Sequence, residues 1–473
     1  MSAVIALLTV LPGCFSERSF RVNPEKVVLV PETQTAAPRS TREWLRVVHE
    51  RLEPMLPRED RRKAPLLTEE LTKPDGTPVD VFKHFRKIKS MLHTVLGNIT
   101  GLSHTAQVTG STNCVFEPAP PWEGFEDIWV PVKEGLELSA RVGWAKRNGK
   151  VIETDCIILL PGLLGDNMRL RARDIGASLI AAGYHVISLE FRGHGRTQHR
   201  YPDLAYNYGV LETGDMIAVA EWLEAKPEVR ETGIVAFSWS ANLALLTAWE
   251  NGRSDDHPSV TERLKPYLRP RDGVIHFKAG IFCLSPVLDF GHLVDALDKT
   301  WYGIENPVLS AIQGTVNWRA KLKGYEGVDG HLRILIERDF AQSELSFPNS
   351  TDDGMTYLRL LPYEGLPSGR KLEDAKVPVL ILHASDDPLA YAQEVADFFG
   401  ETKNPNVAGI ILKGGGHDGF TAYAKDYFFN LLLNFFDPAY GARNARPRTT
   451  IVGTPAEEGK ATLLGDTPPV RTR

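Results

Sequence analysis

The sequence predicts an α/β fold in which a mostly parallel, twisted sheet is flanked by helices. From about residue 123, short continuous runs of Val, Ile, Leu and Phe alternate with stretches of helical character. Such runs are typical of strands that are buried on both faces of a parallel sheet. Before them, segments 125–132 and 137–145 alternate apolar and polar residues, as antiparallel strands do. An antiparallel opening followed by β-α repetition indicates this fold class.

The apolar runs and the helical stretches between them follow one another along the chain. The candidate parallel strands are 156–162, 185–191, 233–238, 279–286, 377–384 and 407–414, and the clearest helical stretches are 168–182, 212–225 and 241–250. Roughly ninety residues separate the fourth run from the fifth, far more than an ordinary connection contains. We interpret this interval, about 287–376, as a helical cap that carries Trp301 and Trp318 and is inserted over the C-terminal edge of the sheet.

The N-terminus has two interpretations. Residues 3–11 form an apolar run too short to span a bilayer, and the following Leu-Pro-Gly-Cys14 is similar to a bacterial lipoprotein cleavage box. The residues before the run lack the Lys or Arg that a signal peptide normally carries. Residues 1–14 are therefore either a lipoprotein signal or a disordered start. The first alternative predicts a cell-envelope protein with membrane contact through lipidated Cys14, and the second a cytoplasmic one.

Two further segments flank the core domain, which we place at 123–438. Residues 15–122 read as an N-terminal extension with helices near 40–52 and 80–97. Its run 59–63, Glu-Asp-Arg-Arg-Lys, contains charges of both signs and predicts a solvated helix face or loop. The segment 439–473 is poor in core-forming residues and rich in Pro, Thr and charge, which predicts a disordered tail.

Composition excludes some classes of partner. The 473 residues carry a net charge of −6 and a pI near 6.1, which argues against binding to nucleic acid. The 13 histidines and four cysteines show no grouping at zinc spacing, so we expect neither a metal nor another cofactor. Cys156 and Cys283 lie inside apolar runs, which predicts buried thiols rather than a disulfide.

A serine between a buried strand and an apolar helix is the central candidate for chemistry. Segment 236–242 reads Ala-Phe-Ser-Trp-Ser-Ala-Asn. A nucleophile elbow, Gly-x-Ser-x-Gly, holds its serine on a tight turn and needs small residues two places before and after it. Ala236 and Ser240 meet that need for Ser238. If Ser240 were the nucleophile, the bulkier Asn242 would take a flanking place, so Ser238 is favoured. The alternative is an ordinary strand end with two serines.

A base and an acid follow in the order that this elbow requires. A serine hydroxyl is a poor nucleophile until a base accepts its proton, and an acid fixes the tautomer of that base. Asp386 and Asp387 follow the run 377–384, and His417 follows the run 407–414, in the chain order serine, acid, histidine. Asp387 precedes a proline, which restricts its backbone. The joint occurrence predicts a triad of Ser238, Asp387 and His417.

The turn after the run 156–162 is the candidate oxyanion hole. A glycine-led turn at this place lets backbone N–H groups point at a developing oxyanion. We assign the hole to the N–H groups of Leu163 and of Trp239, which follows the candidate nucleophile. Alternatively, the turn is only a strand-to-helix loop. We interpret His194, after the next strand, as a structural turn residue, because His417 holds the chain position expected of the base.

These segments resemble the α/β-hydrolases, and within them the YheT-like branch of predicted esterases. The elbow of that branch, Tyr-Ser-Leu-Gly-Gly-Asn, is similar to residues 237–242. Its acid loop, His-Ala-Lys-Asp-Asp-Pro, resembles 383–388, and its base loop, Gly-Gly-His-x-Gly-Phe, resembles 415–420. The resemblance covers about 125–437. It departs at the two elbow glycines, which are Ala236 and Ser240 here, and at Pro161, where the branch usually has His.

The resemblance implies an α/β-hydrolase fold with a cap and selects Ser238 and Asp387. It also implies a serine hydrolase that cleaves carboxylic esters through an acyl-enzyme, with a small-molecule or lipid-like ester as its partner. Two alternatives stay open. An acyltransferase would use the same triad with an acceptor other than water. A non-catalytic hydrolase-like binding protein would account for the replaced elbow glycines. The oligomeric state is not indicated.

Overall fold

A computed structural model describes the part of the chain that forms the fold. The described residues are 21, 27–28, 30, 40–85, 120–163, 170–270, 272–298, 307–361 and 370–437. The predictions for residues 1–14 with Cys14, for most of the helix near 80–97, for Trp301 and for the tail 439–473 lie outside these ranges.

The described strands form a nine-stranded sheet and a small hairpin. In chain order they are β1 Leu66–Leu67, β2 Glu126–Lys133, β3 Leu136–Gly143, β4 Lys146–Arg147, β5 Lys150–Val151, β6 Thr154–Leu160, β7 His185–Glu190, β8 Val229–Phe237, β9 Gly280–Leu284, β10 Val379–Ala384 and β11 Val407–Leu412. The sheet order is β1-β11-β10-β9-β8-β6-β7-β3-β2, and β4 pairs with β5. Strands β6 to β11 run parallel, whereas β1, β2 and β3 pair antiparallel with their neighbours.

Helices pack on both faces of this sheet. The described α-helices are α1 Thr41–Leu52, α2 Arg58–Arg62, α3 Val81–Phe85, α4 Leu170–Ala181, α5 Gly195–Arg200, α6 Glu212–Glu224, α7 Trp239–Glu250, α8 Phe290–Asp298, α9 Pro307–Leu322, α10 Leu332–Gln342, α11 Ser350–Leu358, α12 Ala392–Glu401, α13 Phe420–Tyr423 and α14 Lys425–Phe436. The two faces form separate apolar clusters, one of which includes Trp249 and the other Phe428.

The parallel strands consist mostly of apolar residues, and both of their faces are covered by helices. Every residue of β6, β7, β9, β10 and β11 is buried. Burial of continuous apolar runs between two helical layers is the arrangement that parallel sheets require. The α/β fold class, with its mostly parallel sheet and flanking helices, is therefore confirmed. Cys156 and Cys283 are buried free thiols on β6 and β9.

Four helices, α8 to α11, lie between β9 and β10 and contact the loops at the C-terminal edge of the sheet. On α9, the buried guanidinium of Arg319 donates to the carbonyl oxygen of Gly193, which follows β7. It also pairs with Asp339 of α10 at 3.3 Å. Asp339 in turn accepts the hydroxyl of Tyr208 at 2.9 Å. Buried charges need partners of this kind, so this cluster fixes how α9 and α10 lie on the core.

The described part of the N-terminal extension, 40–85, packs against the hydrophobic edge of the same sheet. Strand β1 pairs antiparallel with β11, with Leu66 opposite Ile411 and Leu67 opposite Ile410. Helix α1 packs on β11 and α14 and buries Trp44 against Phe435 at 5.4 Å. The extension therefore completes the sheet.

One prediction for the extension was wrong in part. The run 59–63 was expected to be solvated, but Asp60 is fully buried, whereas Glu59, Arg61 and Arg62 are exposed. The exposed residues of the run form the outer face of α2. Asp60 lies on the buried face, where two donors, the Lys413 N–H and the Tyr423 hydroxyl, meet its carboxyl group. None of the helices within the described ranges has the length and apolar character needed to cross a membrane.

Candidate active site

Ser238 lies on a strained turn between β8 and α7. Its backbone has φ 57° and ψ −124°, a conformation that residues other than glycine rarely adopt. The Ser238 N–H donates to the carbonyl oxygen of Leu284 on β9 at 2.8 Å. The turn after β6, the predicted oxyanion turn, passes so close that a Cβ atom on Gly162 would lie 3.2 Å from the Ser238 Cβ. The turn thus presents the Ser238 hydroxyl at the C-terminal edge of the sheet.

The second serine of the elbow has a different partner. Ser240 lies in the first turn of α7, is 1% exposed, and donates its hydroxyl to the carbonyl oxygen of Pro161. Pro161 directly precedes Gly162, so this bond ties the oxyanion turn to the helix that follows Ser238. The two serines, which the sequence could separate only by the size of their neighbours, are separated here by their hydrogen bonds.

The structure brings Ser238, His417 and Asp387 into one hydrogen-bonded chain. His417 Nε2 lies 2.7 Å from Ser238 Oγ. His417 Nδ1 donates to the Asp387 carboxylate, at 2.9 Å from Oδ2 and 3.1 Å from Oδ1. The backbone N–H groups of Leu389 and Ala390 donate to Asp387 Oδ1, each at 2.9 Å. The carboxylate is therefore held from one side while it orients the imidazole from the other.

The neighbouring Asp386 has a separate role. Its Oδ1 accepts the N–H of Gly416, in the loop that carries His417, at 2.8 Å. Asp386 thus contacts the backbone of the loop, and of the two aspartates it is Asp387 whose carboxylate reaches His417 Nδ1. Asp386 ties the loop after β10 to the loop after β11.

Asp418 is a residue of the site that our sequence reasoning missed. It is buried with φ 61°, and its Oδ2 lies 4.0 Å from His417 Nε2. Its N–H donates to Ser285 Oγ at 3.1 Å, and its carbonyl oxygen accepts from the Arg171 guanidinium at 2.9 Å. Its position directly after the candidate base was the only signal in the sequence.

The carboxylates around His417 raise its pKa. Burial, the largest influence, lowers the pKa of His417, but Asp387 and then Asp418 outweigh it, and the pKa is raised above the ordinary value. Burial likewise acts to raise the pKa of Asp387, but the nearby His417 imidazole outweighs it and the pKa is lowered. An ionised acid beside a histidine of raised basicity is the arrangement of a general base that must hold a proton during reaction.

A profile of the alpha/beta hydrolase family matches residues 157–429, the part of the chain that carries β6 to β11 and all three residues of this hydrogen-bonded chain. The chain belongs to the alpha/beta hydrolase family. As a member of that family the protein is a hydrolase.

Solved structures with a similar arrangement are distant in sequence. The esterase Pf2001 of Pyrococcus furiosus matches with a TM-score of 0.43 at 15% identity, over 68% of this chain and 97% of its own. The acylaminoacyl peptidase of Pyrococcus horikoshii matches at 0.40 and 14%, over 69% of this chain and 43% of its own. The carboxylesterase EstE1, from a metagenomic library, matches at 0.38 and 15%, over 74% and 96%. No curated protein sequence matches the chain.

The predicted oxyanion hole of this hydrolase lies beside Ser238. Leu163 is half-buried in the turn after Gly162, and Trp239 is the first residue of α7. The Trp239 indole N–H donates to the carbonyl oxygen of Tyr208 at 2.9 Å, and the indole ring lies 4.1 Å from the ring of Phe290 on α8. The assignment of the two backbone N–H groups remains a prediction.

Two further features could have carried chemistry: His194, and a cluster of two carboxylates and a histidine. His194 Nδ1 donates to the carbonyl oxygen of Arg192 at 2.7 Å, and burial, followed by the charge of Arg319, lowers its pKa to about 3. This agrees with a structural turn residue. Among the described residues, one group has the composition and spacing for a metal ion: Glu221, Asp272 and His276, where Glu221 already pairs with Arg269 and His276 with Glu224.

Proposed function

We propose that this hydrolase cleaves carboxylic esters by acyl transfer to Ser238 and then to water. In this proposal His417 is the general base and acid, Asp387 orients His417, and the N–H groups of Leu163 and Trp239 bind the oxyanion. The support comes from one observation above all: a serine at positive φ lies 2.7 Å from an imidazole whose other nitrogen lies 2.9 Å from a buried carboxylate.

The geometry supports a two-step reaction. As the Ser238 Oγ attacks the ester carbonyl, its proton passes to His417 Nε2, and the tetrahedral intermediate carries a negative charge on the former carbonyl oxygen. Collapse of the intermediate breaks the bond to the leaving alcohol, which takes the proton from His417. Water then attacks the acyl-enzyme, gives its proton to His417, and regenerates Ser238 with release of the acid.

The substrate class is the finer part of the proposal. The elbow, acid-loop and base-loop segments resemble those of the YheT-like branch of predicted esterases, and we propose that the chain belongs to that branch. Trp239 directly follows Ser238, and its buried indole packs against the buried ring of Phe290, the first residue of the inserted helix α8. An ester with an apolar or lipid-like acyl chain suits such surroundings better than a charged substrate.

Labelling with a fluorophosphonate, followed by peptide mapping, tests the proposal. The wild-type protein should be labelled on Ser238 and should hydrolyse p-nitrophenyl esters faster than matched p-nitroanilides. Ser238→Ala should abolish both labelling and hydrolysis, with a loss of at least about 10⁴-fold.

Ser240→Ala is the matched control, because it removes the other hydroxyl of the elbow. It should keep the label on Ser238 and react more slowly, since the turn at Pro161 loses its anchor. Labelling of Ser238→Ala on Ser240 would reverse the assignment, and an unlabelled wild-type protein would favour the non-catalytic alternative. Acyl transfer to an added alcohol in preference to water would favour the acyltransferase.

A further inference from the structure

The loop that carries His417 is held by a residue from outside the hydrolase domain. Asp60 lies on α2 of the N-terminal extension and is fully buried. Its Oδ1 accepts the backbone N–H of Lys413 at 2.6 Å, across 353 positions of the chain. Its Oδ2 accepts the hydroxyl of Tyr423. The two contacts lie on either side of His417 in the sequence.

Tyr423, which contacts Asp60, also packs against the glycine turn that precedes His417. Its ring lies so close to Gly414 that a Cβ atom there would be 2.6 Å from Tyr423 Cζ. Gly415 and Gly416 both have positive φ, 136° and 55°, so the loop immediately before His417 follows a path that few side chains permit. A chain segment of this kind needs external contacts to hold one conformation.

The acid loop holds the same segment from the opposite side. Ser385 Oγ donates to the carbonyl oxygen of Lys413 at 2.7 Å, and Asp386 Oδ1 accepts the N–H of Gly416 at 2.8 Å. Lys413 is therefore bonded through its N–H to Asp60 and through its carbonyl oxygen to Ser385. Without Asp60, the acid loop would hold the segment from one side only.

Loss of the bonds to Asp60 would destabilise the loop, because the donors that meet this buried carboxylate would be left without an acceptor. Burial raises the pKa of Asp60, while the hydrogen bonds from Tyr423 and from the Lys413 N–H act to lower it. A buried N–H or hydroxyl left without an acceptor destabilises the conformation that buries it. If the carboxylate were removed, the loop would therefore shift to expose these donors. His417 is four residues from Lys413, and a displacement of about 1 Å at a catalytic group lowers rates by about 100-fold.

We propose that Asp60 is a positioning residue for His417, so that the N-terminal extension is a working part of the active site. The inference rests on the proposed function of the triad. Asp60 touches no reacting atom and acts through Lys413 and Tyr423. The extension thus performs two tasks: it completes the sheet through β1, and it fixes the loop of the base through α2.

The test compares Asp60→Asn with Glu59→Gln. Glu59 is the adjacent carboxylate of the same helix; it is exposed and pairs with the Lys413 ammonium at 2.7 Å, whereas Asp60 accepts the Lys413 backbone N–H. The Asp60 carboxylate accepts two donors with its two oxygens, and an asparagine has only one acceptor oxygen for them. On a p-nitrophenyl ester, Asp60→Asn should therefore lower kcat by about 10- to 100-fold and leave KM within about twofold. Glu59→Gln should leave both near the wild-type values.

A second readout does not depend on activity. In protein labelled selectively at histidine, the His417 resonance is identified by its loss in His417→Gln, and its pKa is measured by NMR titration. Asp60→Asn should move the pKa of His417 down towards the ordinary value, because the imidazole moves away from Asp387. If the wild-type protein fails to label at Ser238, the proposed function fails, whereas this titration still decides the role of Asp60.

Tyr423→Phe tests the same contact if Asp60→Asn does not fold, because it removes only the hydroxyl that Asp60 accepts. It keeps the Asp60–Lys413 bond and should change kcat and the His417 pKa in the same directions as Asp60→Asn, by smaller amounts. If kcat and the pKa of His417 both stay at wild-type values in Asp60→Asn, the proposal is overturned. A lower melting temperature with both values unchanged also overturns it, since that result describes a structural role alone.

Discussion

Two buried histidines, one at each end of α7, each donate to a carboxylate. At the N-terminal end, His417 Nδ1 donates to Asp387 at 2.9 Å. A helix of 12 residues is about 18 Å long. At the C-terminal end of α7, His276 Nδ1 donates to Glu224 at 2.7 Å. Both imidazoles are buried, and the pKa of each is raised above the ordinary value, with carboxylates outweighing burial.

The two pairs differ at the other ring nitrogen. His417 Nε2 faces Ser238 Oγ, whereas His276 Nε2 has no hydrogen-bond partner among the residues that the structure describes. The His276 backbone is instead fixed by the Asn251 side chain, whose Oδ1 accepts its N–H at 2.9 Å. A basic histidine next to a carboxylate is thus not sufficient for catalysis. The strained turn at Ser238 turns the first pair into a candidate general base, and the second remains a structural contact.

The largest expected effect is a loss of kcat when Asp387 is changed, compared with no loss when Glu224 is changed. Asp387→Asn should lower kcat by about 10³- to 10⁴-fold, because His417 loses the acceptor that fixes its tautomer. Glu224→Gln should leave kcat and KM unchanged, since His276 reaches no reacting group. Steady-state kinetics on one activated ester, with folding checked by circular dichroism, measures both.

Asp386→Asn supplies the closer control. An asparagine oxygen can still accept the Gly416 N–H, so the loss should stay within about tenfold, which corresponds to about 1.4 kcal/mol. A larger loss in Asp386→Asn than in Asp387→Asn would exchange the two roles. A large loss in Glu224→Gln would mean that the two ends of α7 are coupled.

The next effect concerns pH, and it comes from Asp418. His417 must be neutral to accept the serine proton, so kcat/KM should rise with pH through the His417 pKa, which lies above the ordinary value of about 6.5. Asp418 helps to raise that pKa. Asp418→Asn should therefore move the acidic limb of the kcat/KM profile to lower pH. A limb that stays in place or moves to higher pH would contradict the electrostatic role of Asp418.

The smallest effect is on stability, at the other end of the helix. The raised pKa of His276 means that protonated His276 stabilises the folded state, most fully below the pKa of the unfolded chain, and that this contribution is lost as pH rises through the folded value. Glu224→Gln should therefore lower the free energy of unfolding by about 1 kcal/mol at pH 5.5 and by less at pH 8.5. Urea unfolding at both pH values measures the difference; an equal loss at both would assign the effect to packing.

The parts of this molecule that follow from local pattern could be predicted from the sequence. Continuous apolar runs indicated β6 to β11, and the small residues around Ser238 indicated the turn that the structure has there. The choice of Asp387 over Asp386 needed only the proline that follows and the resemblance to known acid loops. Each of these signals lies within a few residues of the feature that it predicts.

The rest depends on contacts between distant segments. Asp60 lies in a run of charged residues of both signs, and nothing near it in the sequence indicates that the N–H of Lys413 will meet its carboxylate. The sequence indicates only that the Ser240 side chain is small enough for the elbow. In the structure its hydroxyl also donates to the carbonyl oxygen of Pro161. Polar side chains of this kind are buried only because the fold supplies their partners, and a single sequence does not encode which partners these are.

The antiparallel pairing of β1 with β11 has a consequence for handling the protein. Beyond the two paired residues, Thr68 Oγ1 accepts the N–H of Gly409 at 2.8 Å and donates to its carbonyl oxygen at 3.2 Å, so the extension covers three successive residues of β11, from Gly409 to Ile411. The opposite edge strand, β2, instead carries Pro131 and charged residues, which discourage pairing with another chain. A truncated protein that starts near residue 123 would leave backbone N–H and C=O groups along one edge of the apolar strand β11 unpaired. Such an edge is a template for intermolecular strand addition, so the truncated hydrolase domain should aggregate during expression where the full-length chain does not.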